Sequence, residues 1–310
     1  MSIPAVEPPI TGGTTGYLPG TDFGGLTGAI DDSAGSGVVI PLGQVDDAYV
    51  QWRMTDLTGW DAADLEENAE TRTGADGMFD APNYYGGRTV QVKGLIVAPD
   101  AVTLEAAMYR LVQAVPPRRL VTVRFDEATP KYVMARRSGR PMVGKVTDRT
   151  AEFDVSLLAP DPRKYAVDAT SVTLSIAQPA AGLAPPWTAP VTLPARTGGS
   201  DTVVVTNSGI YETQPLIRIA GPGQDLQITN TTTGAFLAYD VLLGATDYLL
   251  VDCHAGVALL NGTAPRSPSP GSSVTERFVI VPGDNRLQLT GTATDVVVAS
   301  ATVQFNSAWD

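Results

Sequence analysis

From residue 202 to the end of the chain, short apolar runs recur roughly every ten residues with no helical period between them. They read TVVVT (202–206), LIRIA (216–220), LQITN (226–230), AFLAYD (235–240), DYLLVD (247–252), GVALL (256–260), RFVIV (277–281), RLQLT (286–290) and VVVASATVQF (296–305). Turn residues stand between them, among them Thr233-Gly234, Asn261-Gly262 and Pro282-Gly283-Asp284-Asn285. Short strands at this spacing bury their apolar sides only by packing sheet on sheet, so a β-sandwich is expected.

A second pattern occupies residues 88–158. Val90 and Val92 alternate with polar neighbours and LIV continues the strand to Ala98-Pro99-Asp100. The period then changes: Leu104, Met108, Leu111, Val112 and Val115 fall on one helical face, Asp100 or Thr103 can cap its start, and Pro116-Pro117 ends it. LVTVRFD (120–126), KYVMARR (131–137) and FDVSLLA (153–159) follow as strands. A sheet covered on one side by this helix would bury them all. Pro160-Asp161-Pro162 removes the backbone donors that a continuing ladder needs. It is read as the hinge between a first domain (1–165) and the sandwich (166–310), whose stretch 177–200 is dense in Pro and Gly.

Before Arg88 the chain is rich in Gly, Thr, Asp and Pro. GVVIPL (37–42) and AYVQW (48–52) are its best strands, and residues 60–72 are read as a helical turn with a thin apolar face. The fold class is therefore mainly β, with a single helix.

Few chemistries are open to this composition. The only histidine, His254, adjoins the only cysteine, Cys253, and strand neighbours point to opposite faces, which disfavours a thiolate–imidazolium pair. A Ser-His-Asp triad would need that same histidine, and a zinc site needs more His or Cys than exist here. Asp46-Asp47 and Glu66-Glu67 read as solvated surface rather than as glycosidase carboxylates. Gly198-Gly199 and Gly221-Pro222-Gly223 lack the residues of a phosphate loop. No enzymatic activity, metal or cofactor is expected. No apolar run reaches the ~18 residues of a membrane span, and the N-terminus has no signal core, so synthesis in the cytoplasm is expected.

Charge is distributed by segment. Residues 1–87 hold 14 acidic and 2 basic side chains, residues 88–165 hold 8 and 14, and residues 166–310 hold 11 and 5. The most basic group, Arg118, Arg119, Arg136, Arg137, Arg140 and Lys145, is read as a face that meets an acidic face of another subunit. Trp187 and Trp309 are the candidates for a sugar platform, with buried anchor the plainer reading.

Several of these stretches carry a resemblance. YYGGRTV (84–90), the APD-x-x-T-L-x-x-A helix and LLAPDPRKY, followed by VTNSGIYETQPLIRIAGP, ITNTTTGAFL, LLVDCHAGVALLNG, VIVPGDNRLQLTG and the terminal SAW, resemble in order and spacing the siphophage distal tail proteins, especially minor tail proteins of phages of actinobacteria. The resemblance implies a ring-forming belt domain followed by a galectin-like or carbohydrate-module-like sandwich. It implies a homo-hexameric ring in the virion that joins the tail tube protein to the tail-tip hub, surrounds the tape measure protein and lets DNA pass. Such proteins have no enzymatic activity of their own. In a ring, one surface meets a different surface of the next copy, so the acidic region before Arg88 is expected to face the basic region after it. Neutralisation within one domain is the competing expectation. The rival function is host attachment, with the sandwich binding cell-surface carbohydrate; a cell-wall hydrolase would need a carboxylate-lined cleft.

Overall fold

The computed structural model describes residues 25–176, 202–294 and 298–310. The stretch 177–200, Trp187 within it, and residues 296–297 of the last expected strand lie outside them. Contacts divide the chain between Val167 and Asp168, with Asp310 grouping with the first unit.

Strands β1 (Gly28–Asp32), β2 (Val38–Leu42), β3 (Gln44–Val45) and β4 (Gln51–Thr58) open the first unit. Four two-residue strands follow: β5 (Leu65–Glu66), β6 (Glu70–Thr71), β7 (Met78–Phe79) and β8 (Tyr84–Tyr85). Then come β9 (Arg88–Val97), α1 (Ala101–Ala114), β10 (Val121–Phe125), β11 (Lys131–Arg137), β12 (Met142–Lys145), β13 (Thr150–Ala159) and β14 (Lys164–Ala166). The antiparallel order is β2-β1-β10-β11-β13-β9-β4-β3, with β12 added on β13 and β14 on β11. Its end strands, β2 and β3, are joined through Gly43 alone, so the sheet curls until its ends are chain neighbours.

The longest pairing sets Arg88 against Ala159 and Val97 against Thr150 without a slip. On its other edge β9 meets a bulge in β4 between Met54 and Asp56. Gly94 stands beside it because a Cβ there would run into the Arg53 carbonyl. Helix α1 begins at Asp100, whose Oδ1 accepts from the N–H groups of Val102 and Thr103 at 2.9 Å. Its buried face is Leu104, Ala107, Leu111 and Ala114, rotated from the expected one: Val112 is exposed and two alanines take the inner positions. The helix packs on β1, β2, β9 and β13, and small residues there let its axis approach the sheet.

Two local expectations change. AYVQW enters its strand only at Gln51, because Asp46 holds a turn over the residues before it: its carboxylate accepts from Ala48 N, Val50 N and Trp52 Nε1, and Tyr49 adopts a φ of 58°. Pro160-Asp161-Pro162 is a corner within the first unit rather than its exit. Asp161 accepts from Arg163 N and from the Tyr165 hydroxyl, which turns the chain so that β14 pairs with β11.

The second unit contains β15 (Thr170–Ser175), β16 (Thr202–Asn207), β17 (Leu216–Ala220), β18 (Gln224–Asn230), β19 (Ala235–Tyr239), β20 (Tyr248–Asp252), β21 (Val257–Leu260), β22 (Ala264–Pro265), β23 (Gly283–Thr292), β24 (Ser300–Phe305) and β25 (Ala308–Trp309). One sheet runs β15-β24-β17-β20-β21-β22 and the other β16-β23-β18-β19. Ile217, Ile219, Leu249, Val251 and Val303 of the first share a core with Leu226, Ile228, Leu237, Leu287 and Leu289 of the second, the sandwich that the spacing predicts. RFVIV is the exception: residues 275–277 form a 3₁₀ turn, and three asparagines claim the carbonyls that a strand would use. Asn230 donates to Val279 O (3.0 Å), Asn207 to Ile280 O (3.1 Å) and Asn285 to Val281 O (2.7 Å). Phe278 and Ile280 still reach the core, and Ile280 makes a single bridge to Thr213.

Candidate assembly interface

Between β4 and β9 the chain leaves the sheet and returns as a two-stranded arm over residues 61–86. Leu65 pairs with Tyr85 and Glu66 with Tyr84; farther out, Glu70 pairs with Phe79 and Thr71 with Met78. Arg72 N donates to Gly77 O at the tip, where Gly74 and Gly77 have positive φ. No residue from 61 to 87 is buried. This replaces the expected helical turn. The signal that marks the arm in the sequence is Thr73-Gly74-Ala75-Asp76-Gly77, a turn cluster between ETR and MFD.

The root of the arm is firmly held. Arg88 is fully buried and donates to the carbonyls of Gly59 (3.0 Å), Trp60 (2.8 Å) and Pro162 (2.7 Å), with Asp310 as its counter-ion at 2.9 Å. Lys164 donates to Trp60 O (2.8 Å) and lies 5.4 Å from the Trp60 ring centroid; burial and the neighbouring Arg88 push its pKa down. Trp60 donates its indole N–H to Glu127 and packs edge-on against Phe125 at 4.7 Å. Gly59 is required where the arm departs, since a Cβ there would overlap the Thr89 carbonyl and its φ is +75°.

The arm carries seven acidic side chains and one arginine, and among the described residues no ion pair reaches its acids. Leu65, Met78, Phe79 and Tyr84 are exposed along it.

Elsewhere in the same unit, a groove of about 1320 Å³ opens between α1 and the β11–β12 hairpin. Met108, Tyr109 and Val112 line it from the helix; Arg137, Arg140, Met142 and Lys145 line it from the hairpin, and Glu105 is its only acid. Tyr109 and Met142 are both 68 % exposed, so the groove has apolar walls open to solvent and a cationic rim.

The expected basic face is thereby divided. Arg137, Arg140 and Lys145 come together in the groove. Arg136 alternates onto the other side of β11, and Arg118 is exposed outside the groove lining. Arg119 is committed within the chain to the buried Asp32, with its Nε 2.8 Å from Oδ1. That hydrogen bond, opposed by burial, holds the Asp32 pKa down to about 2. Arg110 with Asp46 and Lys93 with Asp56 also join the two charged segments internally. Neutralisation within the unit thus accounts for Asp32, Asp46 and Asp56, but not for the acids of the arm.

The other expected sites gather no chemistry. Trp309 is half-buried, and the exposed large apolar residues described in the second unit are all aliphatic. Burial pushes the Cys253 thiol up to about 12, while His254 sits exposed in the following turn. Among the described residues no group of three or more His, Cys, Asp or Glu could hold a metal, and no helix is long and apolar enough to cross a membrane.

Residues 208–309 match the family model described as siphovirus-type tail component, C-terminal domain. No curated protein sequence matches the chain. Among solved structures, the Dit protein of phage SPP1, described as a paradigm of the hub adsorption apparatus in phages that infect Gram-positive bacteria, is similar with a TM-score of 0.56 and 15 % identity, covering 82 % of this chain and 92 % of that one. A chain of the phage P2 baseplate in its activated conformation with Ca has a TM-score of 0.46 and 13 % identity, covering 90 % and 97 %. The chain therefore resembles the siphophage distal tail proteins in sequence over its last third and in fold over most of its length.

Proposed function

We propose that this chain is a structural component of a long, non-contractile phage tail: a distal tail protein whose copies close a six-membered ring between the tail tube and the tail-tip hub. The match of residues 208–309 to a siphovirus tail component carries the reading, and the SPP1 Dit-like fold supports it. The first unit forms the ring, and the sandwich decorates it. The tape measure protein and then DNA pass through the opening, the DNA without sequence-specific binding. The protein catalyses no reaction; it is assembled in the host cytoplasm and carried in the virion.

Closing a ring requires two different surfaces that fit each other, since each copy must present one to the neighbour before it and the other to the neighbour after it. The first unit has two unlike exposed surfaces of opposite charge, the arm and the groove. Gold-labelled antibodies against the purified chain test the assignment on intact virions. Label confined to the far end of the tail tube is expected; label along the tube, or at the head–tail junction, contradicts it.

A further inference from the structure

We infer that the arm of one copy, residues 61–86, lies in the α1–β12 groove of the next copy. This rests on the ring reading and names the contact that builds the ring.

Three observations converge on it. First, the arm is a two-stranded ribbon with no buried residue, an element marginal at best in water. Its rungs place rings beside carboxylates, Tyr84 opposite Glu66 and Phe79 opposite Glu70, so a surface that covers it must be apolar and cationic together. Second, the groove has that composition: Met108, Tyr109, Val112 and Met142 form its walls, and Arg137, Arg140 and Lys145 stand around them. Third, most of the charges of both partners are still available; Asp61 and Asp64, at the root of the arm, already act on Arg88. Asp32, Asp46 and Asp56 are matched inside the chain by Arg119, Arg110 and Lys93, whereas no ion pair inside the described chain takes up the seven arm acids or the three groove cations.

The geometry favours an occupant from another copy. About twelve residues per limb, at ~3.3 Å each, let the arm project by up to roughly 40 Å. Arg88 and Lys164 clamp its root, so it leaves the sheet from a fixed point. Arm and groove are different surfaces, and a contact between them repeats from copy to copy as a closed ring needs.

The test uses the full chain and its mass in solution. Arg137→Glu/Arg140→Glu/Lys145→Glu in the groove, or Glu66→Lys/Glu67→Lys/Glu70→Lys in the arm, should each weaken self-association at least about tenfold, because like charges then face each other. Both sets in one chain should restore it. A separate variant carrying Phe79→Cys and Met142→Cys reports proximity without relying on charge, since Cys253 is buried. Mild oxidation should join its copies into covalent multimers. Wild-type rings that survive either reversal unchanged, no restoration in the combined variant, or no cross-link within formed multimers would each overturn the arm-in-groove contact while leaving the ring itself standing. A wild-type chain that never multimerises removes the ring and the contact together.

Discussion

Two arginines of the first unit play roles that their sequence surroundings do not announce. Arg119 looks like part of a surface cluster but serves Asp32, whereas Arg88 lies outside the cluster and holds the root of the arm. Neither role is legible in the sequence, because each depends on which strands become neighbours: β1 pairs with β10, and residues 59–60 return beside β9. Replacing Arg88 by Ala would strand three carbonyls and the Asp310 charge, at a cost of about 3 kcal/mol, readable as a lowered urea midpoint. Asp32 gives a pH signature. Its folded pKa is below the ordinary 3.8, so its contribution is complete above that value and fades as pH falls through about 2. The melting temperature of the wild type should drop between pH 4 and pH 2, and Asp32→Asn should lower it at pH 7 while making that drop smaller. Equal acid slopes for the two proteins would refute the assignment.

At the level of elements, alternation found β9, β10, β11, β13 and most strands of the sandwich but passed over β1 and β12, and the proline pair found the end of the helix, since both patterns record a buried side directly. Two of the misses share a cause, side-chain hydrogen bonds that compete with the ladder. Asp46 turns the chain where AYVQW looked extended, and Asn207, Asn230 and Asn285 take the carbonyls of residues 279–281. The arm escaped because it buries nothing, and so no periodic apolar signal was required of it. In α1, apolar spacing alone could not tell Val112 from Leu111. The structure predicts that Leu111→Ala costs about 2–5 kcal/mol in chemical unfolding and that Val112→Ser costs well under 1 kcal/mol. Replacing residues 62–85 by a short Gly-Ser turn should leave the melting temperature of the chain nearly unchanged, because no core is touched, and should abolish multimers. A collapse of the fold on that deletion would show that the arm is structural within the chain.

For the whole molecule, the legible part was its class: a mainly β chain in which the catalytic residue types are scarce and charge is split by segment. The split itself was misleading in one respect, since part of its apparent complementarity is used internally at Asp32, Asp46 and Asp56. What is left, an acidic arm and a cationic groove, is what can act between copies, and attraction of exposed charges weakens with salt. A six-membered ring shows itself in the mass of the purified chain, read by native mass spectrometry at low ionic strength. A species of six times the 32.4 kDa chain mass, dissociating as salt is raised, is the expected result. A chain that stays at its monomer mass under all these conditions, with and without added tail tube protein, contradicts it.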